Sequence, residues 1–289
     1  MVVCNVAAVL WPLAIMAALG GALGLALAVA SKKFRVEADP RVERVLQCLP
    51  GANCGGCGHP GCAGYAAAVV EKGAPVDLCA AGGAAVAGKI AAIMGQAVNR
   101  KEPVFAFVRC DGDGVQPRFH YSGVTDCKAA SVMGLAGSFQ NCPYGCLGLG
   151  SCVEACPFGA IRLNANNVAT VDETICAGCG KCVNACPRHL IAMVPESQVI
   201  LTRCSNRDKG AKANKQCNHS CIACGKCVRA CPAGAIAVVD NVAAIDAAKC
   251  QRCGKCVEAC PKHLIIDVYE KRARHREARR EAEEAELDA

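Results

Sequence analysis

Three segments of this chain repeat one spacing, C-x2-C-x2-C-x3-C-P, without irregularity. They are Cys176, Cys179, Cys182, Cys186 before Pro187; Cys221, Cys224, Cys227, Cys231 before Pro232; and Cys250, Cys253, Cys256, Cys260 before Pro261. No other feature restricts the fold so tightly. This is the ligand run of bacterial iron–sulfur domains, in which iron takes four soft thiolates in tetrahedral directions. Zinc modules pair two C-x2-C knuckles and have no use for the extra cysteines before proline. A disulfide framework needs an oxidising compartment and leaves the regular triplets unexplained. With 26 cysteines in 289 residues, the chain reads as an iron–sulfur protein that moves electrons.

Composition agrees. Aromatics are 4%, with Trp11 the single tryptophan, so the domains lack large apolar anchors and need metal staples. The formal charge of +7 counts each thiol as neutral. A 4Fe–4S cluster with four thiolates carries about −2 when oxidised, so five bring the chain to roughly −3. The basic balance therefore implies no nucleic-acid partner.

Residues 6–30 carry no charge over 25 positions and are followed by Lys32, Lys33 and Arg35. That length suits a membrane-crossing helix despite Pro12, and Gly20, Gly21 and Gly24 suit helix–helix packing in lipid. The positive-inside rule puts the rest of the chain in the cytoplasm, making it a single-pass protein of the inner (cytoplasmic) membrane. Ala28-Val29-Ala30 resembles a signal cleavage site, but no basic segment precedes the apolar run.

The chain divides into an anchor (1–31), a 4Fe–4S module (32–98), a connector (99–137), two ferredoxin-like domains (138–196 and 197–268) and a charged tail (269–289). Residues 179–191, CGKCVNACPRHLI, match 253–265, CGKCVEACPKHLI, at all but two positions, so a two-cluster unit occurs twice in tandem. Helices are expected over 63–72 and 84–98. Asp111-Gly112 and Asp113-Gly114 mark turns in the connector, and the tail reads as a solvated helix or a disordered end. The fold class is α+β: one transmembrane helix, a small helical Fe–S module and tandem two-cluster ferredoxin-like domains.

Five 4Fe–4S clusters follow. Cys54, Cys57 and Cys62 in NCGGCGHPGC, with Cys79, hold the first. In two-cluster ferredoxins the fourth cysteine of a run ligates the other cluster. Cys176, Cys179 and Cys182 therefore go with Cys156; Cys221, Cys224 and Cys227 with Cys260; Cys250, Cys253 and Cys256 with Cys231. The irregular Cys142, Cys146, Cys152 set goes with Cys186, and Cys127 either replaces Cys142 or is spare. Cys4, Cys48, Cys110, Cys127, Cys204 and Cys217 lie outside these quartets and read as small buried hydrophobes or free thiols rather than as a sixth cluster. His59, His189 and His263 sit near complete quartets and read as surface or neighbouring residues. Ser122-Gly-Val-Thr125 departs from an S-G-A-T flavin-attachment sequence. Gly145–Gly150 lacks the Lys-Ser/Thr of a phosphate loop. No acid–base or nucleophilic site stands out.

The order of these parts resembles one family, the B subunits of Rnf-type ion-translocating oxidoreductase complexes. The resemblance rests on the anchor, CGGCGHPGC with Cys79, YSGVTDCKAA, NCPYGCLGLGSCVEACPFGAI and RCSNRDKG. It implies a membrane complex that passes electrons between reduced ferredoxin and NAD while moving Na+ or H+. The chain would be its electron-accepting wire, with soluble ferredoxin as donor, other membrane and peripheral subunits as partners, lipid around its helix, and NAD bound elsewhere. Short members carry one ferredoxin domain, whereas this chain has two. A polyferredoxin component of another membrane enzyme, such as a hydrogenase, and a purely structural Fe–S scaffold are the competing readings.

Overall fold

The computed structural model describes residues 6–33, 39–97, 102–112, 123–134, 142–270, 272–274 and 277. Cys4, Arg35, the Asp113-Gly114 turn, Ser122 and most of the charged tail lie outside them.

Helix α1 runs from Val6 to Lys33. Among the described residues no helix is long and apolar enough to cross a membrane.

The first module is three helices: α2 (Pro40–Cys48), α3 (Gly61–Lys72) and α4 (Gly83–Met94). Asp39 caps α2, accepting the Arg41 N–H at 2.8 Å, and Pro40 suits the first helical turn. The expected helices thus begin close to where periodicity puts them, and the charged segment after the anchor ends in a further helix. Val45, Tyr65, Val69 and Ile90 form the core, with Cys48, Cys57, Cys62 and Cys79 packed against it. Tyr65 fixes the return loop by donating to the Pro75 carbonyl (2.8 Å) and accepting the Leu78 N–H (3.2 Å). Burial pushes its phenol up to about 12.

The two ferredoxin-like units each contain two antiparallel strand pairs. In the first, β1 (Val104–Val108) pairs with β4 (Ile191–Pro195), and β2 (Ile161–Leu163) with β3 (Ala169–Val171). In the second, β5 (Ile200–Thr202) pairs with β8 (Ile265–Asp267), and β6 (Ile236–Val239) with β7 (Val242–Ile245). The segment expected as connector therefore supplies a strand of the first unit, because VFAFV is apolar enough to be buried along β4. The segment between the two quartets of each unit is a hairpin. Asp240 and Asn241 turn the second with φ of 48° and 63°, the left-handed pair that a two-residue hairpin turn needs. Short helices α5 (Cys127–Val132), α6 (Ser151–Glu154), α7 (Lys181–Ala185), α8 (Gly210–Gln216), α9 (Lys226–Ala230) and α10 (Lys255–Ala259) carry cysteines or lie beside them. Such small strand pairs are marginal by themselves, and the cores that hold them are cysteine-rich.

Candidate cluster sites

The cysteine loops share one backbone. Two residues after the first cysteine, the chain is left-handed at Gly178 (φ 67°), Ala223 (53°) and Arg252 (58°). Glycine is required at the first: a Cβ on Gly178 would lie 2.5 Å from the Val104 carbonyl oxygen. After Pro157, Pro187, Pro232 and Pro261 the chain is left-handed again, at Gly159, His189, Gly234 and His263. The two histidines thus occupy a turn position that glycine fills in the sister loops.

These loops gather the predicted thiols. Cys54, Cys57, Cys62 and Cys79 line one cavity, its loop closed by Asn53 Oδ1 accepting the Cys62 N–H at 2.8 Å. Cys221, Cys224, Cys227 and Cys260 line another. Cys156, Cys176 and Cys179 lie close enough to Cys182 to disfavour its thiolate, and Cys231, Cys250 and Cys253 do the same at Cys256. Burial is the larger cause in both cases and pushes each thiol up to about 11. Cys260 thus stands with the first three thiols of its partner run, and Cys156 and Cys231 stand near Cys182 and Cys256.

The irregular set stands as in the alternative with Cys127 in place of Cys142. Cys146, Cys152 and Cys186 share their cavity with Cys127, while Cys142 faces a separate cavity with Cys110, Cys204 and Cys217. The reason is local. Asp126 caps α5, accepting the N–H of Lys128 (3.1 Å) and Ala129 (3.0 Å). Buried Ser151 at the start of α6 donates to Asp126 at 2.6 Å and accepts the Cys127 N–H at 2.8 Å. That network holds Cys127 beside Cys152, and the Ser151 hydrogen bond holds the Asp126 carboxyl below the usual carboxylate range. The signal in the sequence was Asp126-Cys127, a cap residue leading directly into a cysteine.

Burial, reinforced by neighbouring cysteines, pushes the Cys152 thiol up to about 12 and also raises Cys79, Cys146, Cys179 and Cys227. Such thiols stay protonated at neutral pH unless a cationic centre stabilises the thiolates, so loading releases protons. Backbone N–H groups already point at sulfur: Ala160 to Cys156 (3.3 Å), Ala235 to Cys231 (3.3 Å) and Leu264 to Cys260 (3.4 Å). Among the described residues no three His, Cys, Asp or Glu side chains converge on a single-ion position. The thiols stand around cavities, and soft donors with N–H groups aimed at sulfur fit an iron–sulfur cubane.

Known proteins agree with this chemistry. An Fe–S cluster family model matches residues 49–81, and 4Fe–4S dicluster domain models match 141–190, 220–278 and 175–235. The B subunit of the ion-translocating oxidoreductase complex of Methanosarcina acetivorans is 44% identical over 82% of this chain and 90% of its own length. The chain belongs to this family of B subunits. Two further members are the B subunit of the Na(+)-translocating ferredoxin:NAD(+) oxidoreductase complex of Acetobacterium woodii and that of the proton-translocating complex of Clostridium ljungdahlii. The first is 44% identical over 84% of this chain and 73% of its own length. The second is 40% identical over 82% and 84%. As a member of this family, the chain is an electron-transfer component of an ion-translocating oxidoreductase complex and carries 4Fe–4S clusters.

Proposed function

We propose that this protein takes electrons from reduced soluble ferredoxin at its second ferredoxin-like domain and passes them toward the membrane through its first module, for NAD reduction on a partner subunit. The ligand sets are Cys54, Cys57, Cys62, Cys79; Cys156, Cys176, Cys179, Cys182; Cys127, Cys146, Cys152, Cys186; Cys221, Cys224, Cys227, Cys260; and Cys231, Cys250, Cys253, Cys256. Bound clusters supply one-electron chemistry at low potential; the protein supplies position, burial and N–H donors to sulfur.

The observation that carries this direction is exposure. Among the described cysteines only Cys224 and Cys253 are exposed, and Lys226, Arg229, Arg252 and Lys255 beside them are exposed too. An acidic carrier meets cationic side chains there. At the other end the first module docks on the first ferredoxin-like unit so closely that a Cβ on Gly56 would lie 2.9 Å from the Cys179 carbonyl oxygen.

Helix α1 is proposed as the membrane anchor, with the cluster domains on the cytoplasmic side. Its 28 residues span about 42 Å at the helical rise. Its described large apolar side chains are exposed, Trp11 and Met16 by 70% and 73%, as suits a helix in lipid. The coupling ion is set by other subunits.

The test is an anaerobic titration of the purified complex with reduced ferredoxin, followed by EPR. Reduction of the cluster signals of this chain, slowed at low salt in a Lys226→Glu/Arg252→Glu variant, is expected. Clusters that ferredoxin cannot reduce would sink the proposal and leave a structural scaffold.

A further inference from the structure

Cys110, Cys142, Cys204 and Cys217 belong to none of those five sets, yet they line one cavity of about 310 Å³. A single water needs only about 10–15 Å³. The four come from separate segments: the end of the β1 strand, the start of the irregular run, the loop after β5, and the C-cap of α8. Cys110 and Cys142 come from the first ferredoxin-like unit, Cys204 and Cys217 from the second.

Three observations bear on what the cavity receives. Its thiols attract backbone donors as those of the quartets do: Cys204 Sγ accepts N–H groups from Cys221 (3.3 Å) and Asn206 (3.5 Å), and Cys110 Sγ accepts that of Cys146 (3.5 Å). Ser220 lines the cavity, is 1% exposed, and its hydroxyl has no hydrogen-bond partner among the described residues. Such an orphaned buried hydroxyl is costly unless something fills the space beside it. Finally, Arg109 and Lys215 line the cavity, with Arg203 and His219 paired to Asp111 at 3.0 and 3.5 Å, and this net positive lining suits an anionic centre.

We infer that Cys110, Cys142, Cys204 and Cys217 hold a sixth 4Fe–4S cluster that joins the two ferredoxin-like units into one wire. The inference rests on the reading that the other quartets carry clusters. Its placement follows from the bonds just given. Cys110 touches Cys146, a member of the last quartet of the first unit, and Cys204 touches Cys221, a member of the first quartet of the second. Each electron passed leaves one neighbour oxidised by one unit and the other reduced by one, with no bond made or broken. A Cys4 zinc site would use the same residue type, but its sulfurs converge at about 2.3 Å from one ion, whereas these stand around a cavity.

The test is iron, sulfide and zinc quantitation with a reductive titration on the full chain, purified anaerobically in detergent. At four irons per cluster, about twenty-four irons and six electrons per chain are expected. A Cys110→Ala/Cys204→Ala variant should fall to about twenty irons and five electrons. A Cys231→Ala/Cys256→Ala control should lose a cluster independently. About twenty irons in the unaltered chain, with or without one zinc, overturns the inference, and so does an unchanged count in the first variant. Should that variant fail to fold, the unaltered chain's count alone decides. Almost no iron in any chain would instead refute the underlying cluster reading.

Discussion

Arg272 lies in the tail expected to be solvated, yet it is 1% exposed. Its Nε donates to Glu173 Oε2 at 2.7 Å, and its Nη1 donates to the carbonyls of Pro195 (3.0 Å), Glu196 (3.1 Å) and Gln198 (2.7 Å). Its guanidinium also lies 5.5 Å from the Phe105 ring centroid. One side chain thus ties the C-terminal segment to the β3–α7 loop and to the junction between the two ferredoxin-like units. Arg272→Met keeps most of the volume and removes every polar bond. It leaves Glu173, 8% exposed, as a buried charge without its partner, which costs about 3–5 kcal/mol. For a chain of this size that lowers the midpoint by about 6–20 °C. Circular dichroism of the loaded chain, heated under argon at one scan rate, reads the shift. Adding Glu173→Gln to Arg272→Met should recover part of the loss, because the stranded charge is gone. A midpoint within about 2 °C of the unaltered chain, below the shift of even one lost kcal/mol, would refute the clamp. So would purely additive losses in the double variant.

Other outcomes follow from the same structure. Removing iron with a chelator under reducing conditions should collapse the strand pairs of both units, read as lost far-UV signal, because two-stranded sheets this small do not persist alone. Gly178→Ala should destabilise the first unit and lower its cluster retention, since the new Cβ meets the Val104 carbonyl oxygen at 2.5 Å. Arg252→Gly, at the equivalent left-handed position of the last loop, should instead relieve roughly 1 kcal/mol of backbone strain, read as a higher midpoint. Lys226→Glu/Arg252→Glu should slow reduction by an acidic carrier at low salt, with the difference closing toward 1 M salt as screening shortens to about 3 Å.

The regular quartets were legible because their spacing is local: three thiols on one loop need only a short run of consecutive residues. The crossed fourth ligands were an expectation of the two-cluster rule, and each stands beside the thiols of its partner loop. What the sequence left open was which cysteines tertiary contact brings together. Cys127, offered only as a substitute for Cys142, is held beside Cys152 through Ser151, 24 residues away, and no spacing rule encodes a hydrogen bond from Ser151 to Asp126. Strand β1 hid in a stretch without cysteines because its only signal was five apolar residues, too few to separate a strand from a connector. Arg272 was hidden by its neighbours, since a lone buried arginine inside EKRARHREARR has the pattern of a solvated helix.

The inferred site at Cys110, Cys142, Cys204 and Cys217 would keep the duplicated unit from behaving as two beads on a string. In the proposed ligand sets each regular quartet would take three thiols from one loop and one from its sister loop, so it would stabilise only the unit that contains both. A site drawn from four segments, two on either side of the β4–β5 junction, stabilises the relation between the units, and Arg272 clamps that same junction through the carbonyls of Pro195, Glu196 and Gln198. Electron transfer falls steeply with distance, so the geometry between the units must be as fixed as that within them. Loss of either device should therefore slow transfer from the second unit to the first before it empties any quartet. Rapid-freeze EPR after a ferredoxin pulse would show this as reduced signal held in the second unit of an Arg272→Met chain that still carries its full iron.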